Sequence, residues 1–248
     1  MRNQRQPALS DPGRATGRVR RDLTMVAVSL AVFASCAALV ANGRVGTAER
    51  AVFHSVNGLP SWLNKPMVAV QYLGVLAMPL IAAAVALVLR RWRLATALVL
   101  VVPAKLAAEK VPKLLAQRER PGTTVPDAIL RGVPRGGLSF TSGHAIIAFA
   151  VAGLLVLSLV LPRRWRVVAL LLAALVAALV AVARVYLGAH NPLDVVGGAA
   201  VGLVIAAVLD LGLDTARDRN RDDARRGPIV PGTEATEAAK DWKEDQAT

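Results

Sequence analysis

Five long apolar runs decide what this chain can fold into. They are "LTMVAVSLAVFASCAALVA" (23–41), "PMVAVQYLGVLAMPLIAAAVALVL" (66–89), "HAIIAFAVAGLLVLSLVL" (144–161), "VVALLLAALVAALVAVA" (167–183) and "LDVVGGAAVGLVIAAVLDLGL" (193–213). About 20 apolar residues, rising ~1.5 Å each as helix, cross a hydrocarbon layer of roughly 30 Å. With 54% hydrophobic residues in 248 and a mean hydropathy of +0.47, the chain has too little polar surface for a soluble domain. Each run is therefore expected to be a transmembrane helix.

A sixth span is less obvious. "LATALVLVVPAKLAAEKVPKLLAQ" (94–117) begins apolar and then carries Lys105, Glu109, Lys110 and Lys113. Charges inside a span are costly and face protein or water rather than lipid. Lys105, Glu109 and Lys113 recur every four residues, so they share one helix face. Pro103 and Pro112 are expected to bend the helix. An amphipathic surface helix is the competing reading, and charge parity argues against it. Basic residues gather on the cytoplasmic side of spans. Arg14, Arg18, Arg20 and Arg21, the two "RRWR" stretches at 90–93 and 163–166, and Arg217 to Arg226 fall on one side only if 94–117 crosses.

The expected fold is thus all-α, a polytopic six-helix membrane bundle over residues 23–213. A basic N-terminal segment (1–22) and a charged C-terminal tail (214–248) are polar, low in aromatics and expected to be disordered. Both termini are placed in the cytoplasm and the protein in the plasma membrane. The N-terminal segment lacks the cleavage pattern of a signal peptide. Cys36 is alone, so no disulfide framework exists. The formal charge of +13 sits at membrane boundaries, which points to anionic lipid headgroups and not to nucleic acid. No Cys/His cluster of metal-binding spacing is present, and neither metal nor cofactor is expected. Gly198 and Gly202 form a small-xxx-small pair suited to packing within the bundle or in a homodimer.

The non-cytoplasmic side receives the connections 42–65, 118–143 and 184–192. The middle one is basic, with Arg118, Arg120, Arg131 and Arg135. Positive charge kept on that face calls for a reason, and an anionic ligand is one. Three clusters meet at this boundary. "HNPLD" (190–194) reads as a helix start, with Asn191 as N-cap and Pro192 at the first helical position. Asp194 at the third position reaches back toward His190, and a carboxylate near one ring nitrogen leaves the other free to act as nucleophile or base. "TSGH" (141–144) is a second helix start, whose amides suit a phosphate-like anion. Lys113 and Arg120 are two helical turns apart, and Pro121 ends that helix. Each cluster alone is weak. Together they supply cations, helix-terminal amides and two histidines, His144 and His190. That inventory suits in-line phosphoryl transfer by charge stabilisation and acid–base catalysis without a metal.

At these residues the sequence closely resembles the type-2 phosphatidate phosphatase superfamily, integral-membrane lipid phosphatases related to vanadium haloperoxidases. Its three motifs read here as Lys113 to Arg120-Pro121, then Thr141-Ser142-Gly143-His144, then Arg184 through His190 to Asp194. The resemblance implies that His190 is the nucleophile, Asp194 its orienting partner and His144 the general acid. It implies that Lys113, Arg120, Ser142, Gly143 and Arg184 bind the phosphate. Thr141 replaces the usual proline and Ala183 the usual serine, and neither touches the core chemistry. The implied substrate is a lipid phosphate or diphosphate at the outer leaflet. An Ala/Val/Arg-rich composition of high-GC bacterial type favours polyprenyl diphosphate over phosphatidate or phosphatidylglycerophosphate. A lipid transporter or flippase using Lys105, Glu109 and Lys110 as a charged path is the alternative, and it would not require His144, His190 and Asp194 at these spacings. A haloperoxidase is disfavoured because those relatives are soluble and larger. His54 matches no motif and is expected to be a half-buried interfacial residue. Trp62, Trp92, Trp165 and Tyr186 are expected as interfacial aromatics.

Overall fold

The apolar run at 66–89 does not fold as one straight helix. It divides at Gly74 into two pieces that meet at 64°, which corrects the expectation of a single regular span. The cause is steric. A Cβ on Gly74 would stand 2.8 Å from the His144 carbonyl oxygen and 2.9 Å from a Val180 methyl. The glycine lets the chain press against the helix that carries His144, and Val75 is extended at the break.

The computed structural model describes residues 12–158 and 162–226. Among these the chain is helical: α1 (Pro12–Val40), α2 (Thr47–Asn57), α3 (Asn64–Gln71), α4 (Ala77–Val88), α5 (Trp92–Ala116), α6 (Pro121–Thr124), α7 (Gly143–Ser158), α8 (Arg163–Tyr186) and α9 (Pro192–Arg226). Contacts divide the chain at Leu211–Gly212. The site lies in the first unit, and the second holds the C-terminal part of α9. The segments expected to be disordered, 1–22 and 214–248, fall partly outside the described residues. Where described, they continue α1 and α9 as helix.

Among the described residues three helices are long and apolar enough to cross a membrane: Thr16–Val40, Arg164–Tyr186 and Pro192–Asp214. The bent pair on either side of Gly74 makes a fourth if it counts as one span. α5 has 25 residues and remains helical through both Pro103 and Pro112. α7 is apolar but only 16 residues long. The outward faces show what solvent the fold expects. Leu171, Leu172 and Leu175 of α8 are each more than half exposed, a costly arrangement in water and a neutral one in lipid.

α7 is the hub. It packs against α5, α8 and α4, and half of its length is buried by small or branched residues such as Ala145, Ile146, Ala148 and Ala150. α9 lies against it through glycines. A Cβ on Gly198 would come within 2.6 Å of the Ser142 carbonyl, and one on Gly202 within 2.4 Å of the Ile146 carbonyl. The small-xxx-small pair therefore serves packing inside the bundle, where absent side chains let two backbones approach.

The connection 118–143 is folded back by a short antiparallel pairing. Glu119 bridges Leu138, the Arg120 amide donates to Gly137 O (3.1 Å) and the Ser139 amide donates to Arg118 O (2.7 Å). This ties the end of α5 to the start of α7. Asn57 pins the middle of the loop. Its Nδ2 donates to Ile129 O and Tyr186 O, both at 2.9 Å, and its Oδ1 accepts from the Ile129 amide at 2.8 Å.

Tyr186 is not an interfacial aromatic. It is fully buried, its hydroxyl donates to Pro60 O at 3.1 Å, and the Arg131 guanidinium covers its ring at 4.0 Å. A buried tyrosine needs a hydrogen-bond partner and welcomes a cation on its face. Trp62, Trp92 and Trp165 are exposed, at 74%, 67% and 54%, as interfacial side chains would be. His54 is exposed as well and packs edge-on against Phe53.

Candidate active site

α9 begins at Pro192, as its motif predicts, but Asn191 does not cap it with its side chain. Its Nδ2 is turned to Thr124 Oγ1 (3.3 Å). The first amides of α9 are satisfied by two carboxylates instead. Asp194 Oδ2 accepts from the Asn191 amide at 2.8 Å, and Glu49 Oε1 accepts from the Leu193 amide at 2.9 Å. Acidic groups are favoured at a helix N-terminus by its free amides and dipole.

Asp194 therefore reaches back toward His190 but does not bond to it directly. Asp194 Oδ2 is 3.9 Å from His190 Nδ1. The Ser139 hydroxyl fills the space. It donates to Asp194 Oδ2 and lies 3.3 Å from His190 Nδ1. Since that hydroxyl gives its proton to the carboxylate, it accepts one from Nδ1–H, which leaves Nε2 with its lone pair free. Burial, and then the charges of Arg184 and Arg120, hold the His190 imidazole well below the ordinary histidine value, so it is neutral.

The other Asp194 oxygen accepts from Arg118 Nη1 at 3.1 Å, and Arg118 Nη2 donates to Glu49 Oε2 at 2.6 Å. Arg118, 1% exposed, thus sits between two buried carboxylates. This revises the reading of the basic loop. Arg118 belongs to an ion triad behind His190, Arg131 covers Tyr186, and Arg135 donates to Gly122 O at 3.2 Å. Of the four arginines, only Arg120 reaches the site.

That site is a cavity of about 280 Å³ lined by Lys105, Glu109, Lys113, Arg120, Gly143, His144, Arg184 and His190, with Gly74, Val75, Leu76 and Ile147. Segments far apart in sequence converge on it, among them the break at Gly74 to Leu76 and the loop carrying Arg120. α5 supplies the lysines, the start of α7 supplies Gly143 and His144, the last turn of α8 supplies Arg184 and the turn after it supplies His190. Arg184 Nη1 donates to Gln71 Oε1, so α3 sets its angle. Arg120 Nη1 reaches Ala189 O at 3.4 Å. The Lys105, Glu109 and Lys113 side chains do share one face, and the Glu109 carboxylate pairs with both lysines. Lys110 is exposed and outside the cavity, so the three charges do not form a separate path.

Two of the expected phosphate contacts look different in three dimensions. Ser142 does not line the cavity. Its amide donates to Asp194 O at 2.9 Å, and its buried hydroxyl has no hydrogen-bond partner among the described residues. Gly143 does line it, and a Cβ there would strike Lys105 Cε at 2.9 Å. Among the described residues no group of three or more His, Cys, Asp or Glu side chains is placed to hold a metal ion. Ser139, Glu49 and Gln71 were absent from the sequence reading, and Arg118 entered it only as part of the loop's positive charge. Ser139, two residues ahead of the "TSGH" stretch, and Arg118, inside the Lys113 to Arg120 motif, lay close enough to a motif to be noticed.

A sequence profile of the PAP2 superfamily matches residues 80–215, more than half of the chain. The chain belongs to the PAP2 superfamily. Its fold is similar to the crystal structure of the first transmembrane PAP2 type phosphatidylglycerolphosphate phosphatase from Bacillus subtilis. The two share 27% identity over 76% of this chain and 96% of that one, with a TM-score of 0.62. Aquifex aeolicus LpxE shares the fold at 24% identity, over 65% of this chain and 93% of that one, with a TM-score of 0.55. No curated protein sequence matches the chain. Family, helical content and transmembrane neighbours together make this PAP2 protein an integral membrane protein.

Proposed function

We propose that the chain hydrolyses a lipid phosphate or diphosphate through a phosphohistidine formed on His190. One observation carries this reading: both motif histidines line the same small cavity as Lys113, Arg120 and Arg184. His190 Nε2 attacks the terminal phosphorus, and its bond to the leaving oxygen breaks: the lipid oxygen of a monophosphate, or the bridging oxygen of a diphosphate, which leaves as the lipid monophosphate. The cations neutralise the equatorial oxygens, where charge concentrates in the transition state. His144 gives its proton to the leaving oxygen, then takes one from the water that attacks the phosphohistidine. The dianionic phosphate supplies the negative charge beside which a protonated His144 is favoured. The cations do the work that Mg²⁺ does in other phosphoryl-transfer sites, so turnover needs no metal.

The same reading places six spans, with α5 and α7 completing the set. α5, at ~1.5 Å per residue, is long enough for a roughly 30 Å layer. It places the cavity at the outer face of the plasma membrane and both termini inside, on the strength of the basic residues at 90–93 and 163–166. Polyprenyl diphosphate is the favoured substrate. Phosphatidate and phosphatidylglycerophosphate, the latter named for the Bacillus subtilis protein, complete the panel. The test is phosphate release from that panel by purified protein in detergent with EDTA. Release from at least one lipid, inhibited by orthovanadate, is expected. No release from any of them, with or without Mg²⁺, would remove the proposal.

A further inference from the structure

Glu109 is the one carboxylate on a cavity wall that otherwise carries Lys105, Lys113, Arg120 and Arg184. A site built to hold an anion gains nothing from a fixed negative charge unless that charge has a task. Its position indicates the task. Glu109 Oε1 pairs with Lys113 and Oε2 with Lys105, each one helical turn away on α5. Oε2 also lies 3.0 Å from where a Gly143 Cβ would stand. The carboxylate therefore rests against the first residue of α7, where a phosphate would meet free helix amides. All three side chains are mostly enclosed, with 14%, 15% and 27% exposure for Lys105, Glu109 and Lys113, so water screens them little.

We propose that Glu109 is an internal stand-in for the substrate phosphate. It holds Lys105 and Lys113 in the empty cavity and yields them when a phosphate enters, which makes Lys105 a fourth cation of the anion site. The inference rests on the phosphatase reading of this cavity. Exchange of partners keeps the buried lysines paired in both states, since an unpaired buried ammonium is costly. It also weakens every anion that binds, including the phosphate product, because the carboxylate competes for the same two ammonium groups. Glu109 thus sets the balance between substrate capture and product release.

The charges make opposite demands on two variants. Glu109→Gln keeps the shape and frees both lysines, so orthovanadate and inorganic phosphate should inhibit at concentrations roughly tenfold lower or less. That is the order expected when one unit charge is removed within a few ångströms of a bound anion. KM and kcat should fall together, as product leaves more slowly. Lys105→Met leaves Glu109 wholly on Lys113, so the inhibition constants should rise about tenfold. The double variant restores the net charge and should return close to wild type. Inhibition constants are measured with purified protein in detergent. If Glu109→Gln binds orthovanadate no tighter than wild type, or Lys105→Met binds it no more weakly, the stand-in role is wrong. The Lys105→Met arm decides alone if Glu109→Gln does not fold. If the wild-type protein is neither inhibited by orthovanadate nor active on any lipid phosphate, the phosphatase reading itself has failed.

Discussion

Asp194 and His190 are 3.9 Å apart, and the Ser139 hydroxyl joins them. The proton order is Nδ1–H of His190 to Ser139 Oγ, then Ser139 O–H to Asp194 Oδ2. Ser139 is a positioning residue, since it acts through the imidazole. Removing a hydrogen bond to a charged group costs about 1.5–3 kcal/mol, which at ~1.4 kcal/mol per decade is roughly 10–100-fold in rate. Ser139→Ala should lower kcat by that factor with little change in KM. Ser139→Thr, which keeps the hydroxyl, should recover more activity than Ala. Equal kcat in Ser139→Ala and wild type would show that Asp194 orients the ring without it.

The two histidines should fail differently. His190→Ala should lose essentially all turnover on any substrate and form no covalent intermediate. His144→Ala should lose the ~10²–10⁴-fold contribution of a general acid on a lipid monophosphate. It should lose less on p-nitrophenyl phosphate, whose leaving group needs little protonation. Trapping with ³²P-labelled substrate measures both. An acid-labile, base-stable adduct surviving in His190→Ala would assign the nucleophile elsewhere.

A neutral His190 has a pH signature. Its proton affinity is held well below the ordinary value by burial and by Arg184 and Arg120. Below about pH 6.5 the unfolded chain binds a proton that folded His190 refuses, so this group lowers stability as pH falls from that value. In ¹⁵N-histidine spectra of detergent-solubilised protein, the signal lost in His190→Ala should stay neutral at pH 6. A protonated His190 at that pH in the empty enzyme would contradict the geometry.

Arg118 pairs with two carboxylates, the buried Asp194 and the largely enclosed Glu49. Removing one member of such a set leaves uncompensated buried charge, typically about 3–5 kcal/mol. Arg118→Met should lower the detergent unfolding temperature clearly, and Arg118→Met with Glu49→Gln should recover part of the loss. An unfolding temperature unchanged in the single variant would mean that the triad contributes nothing.

Topology is testable on exposed positions. In a Cys36→Ala background, cysteines at Gly136, which has open space around it, and at Arg91 would be treated with a membrane-impermeant thiol reagent. Intact cells should show labelling at position 136 only. The reverse pattern would invert the orientation.

What the chain alone determined was whatever depends on local spacing. Apolar runs report membrane helices because lipid offers the backbone no hydrogen bonds, so every span must satisfy its own. The existence of α5, α7, α8 and α9 was legible for that reason, and so were the helix starts at Gly143 and Pro192, but not the end of α9, which runs on to Arg226 where a disordered tail was expected. The motif residues of the two helix starts were legible because their spacing follows one helix turn or one cap; Arg120 was misplaced, since α5 ends at Ala116 and Arg120 is extended ahead of Pro121, which opens α6 rather than ending the helix of Lys113. Tertiary structure decided what depends on distance between segments. The bend at Gly74 exists because the His144 backbone presses there from another helix. Tyr186 is buried because Arg131 and Pro60, remote in sequence, reach it. Ser139 stands between His190 and Asp194, and Arg118 between Glu49 and Asp194, because the short pairing of 118–120 with 137–139 swings both side chains behind α9. Such contacts have no period in the sequence. They follow from how closely packed helices divide limited space, and from the need of every buried charge to find its opposite.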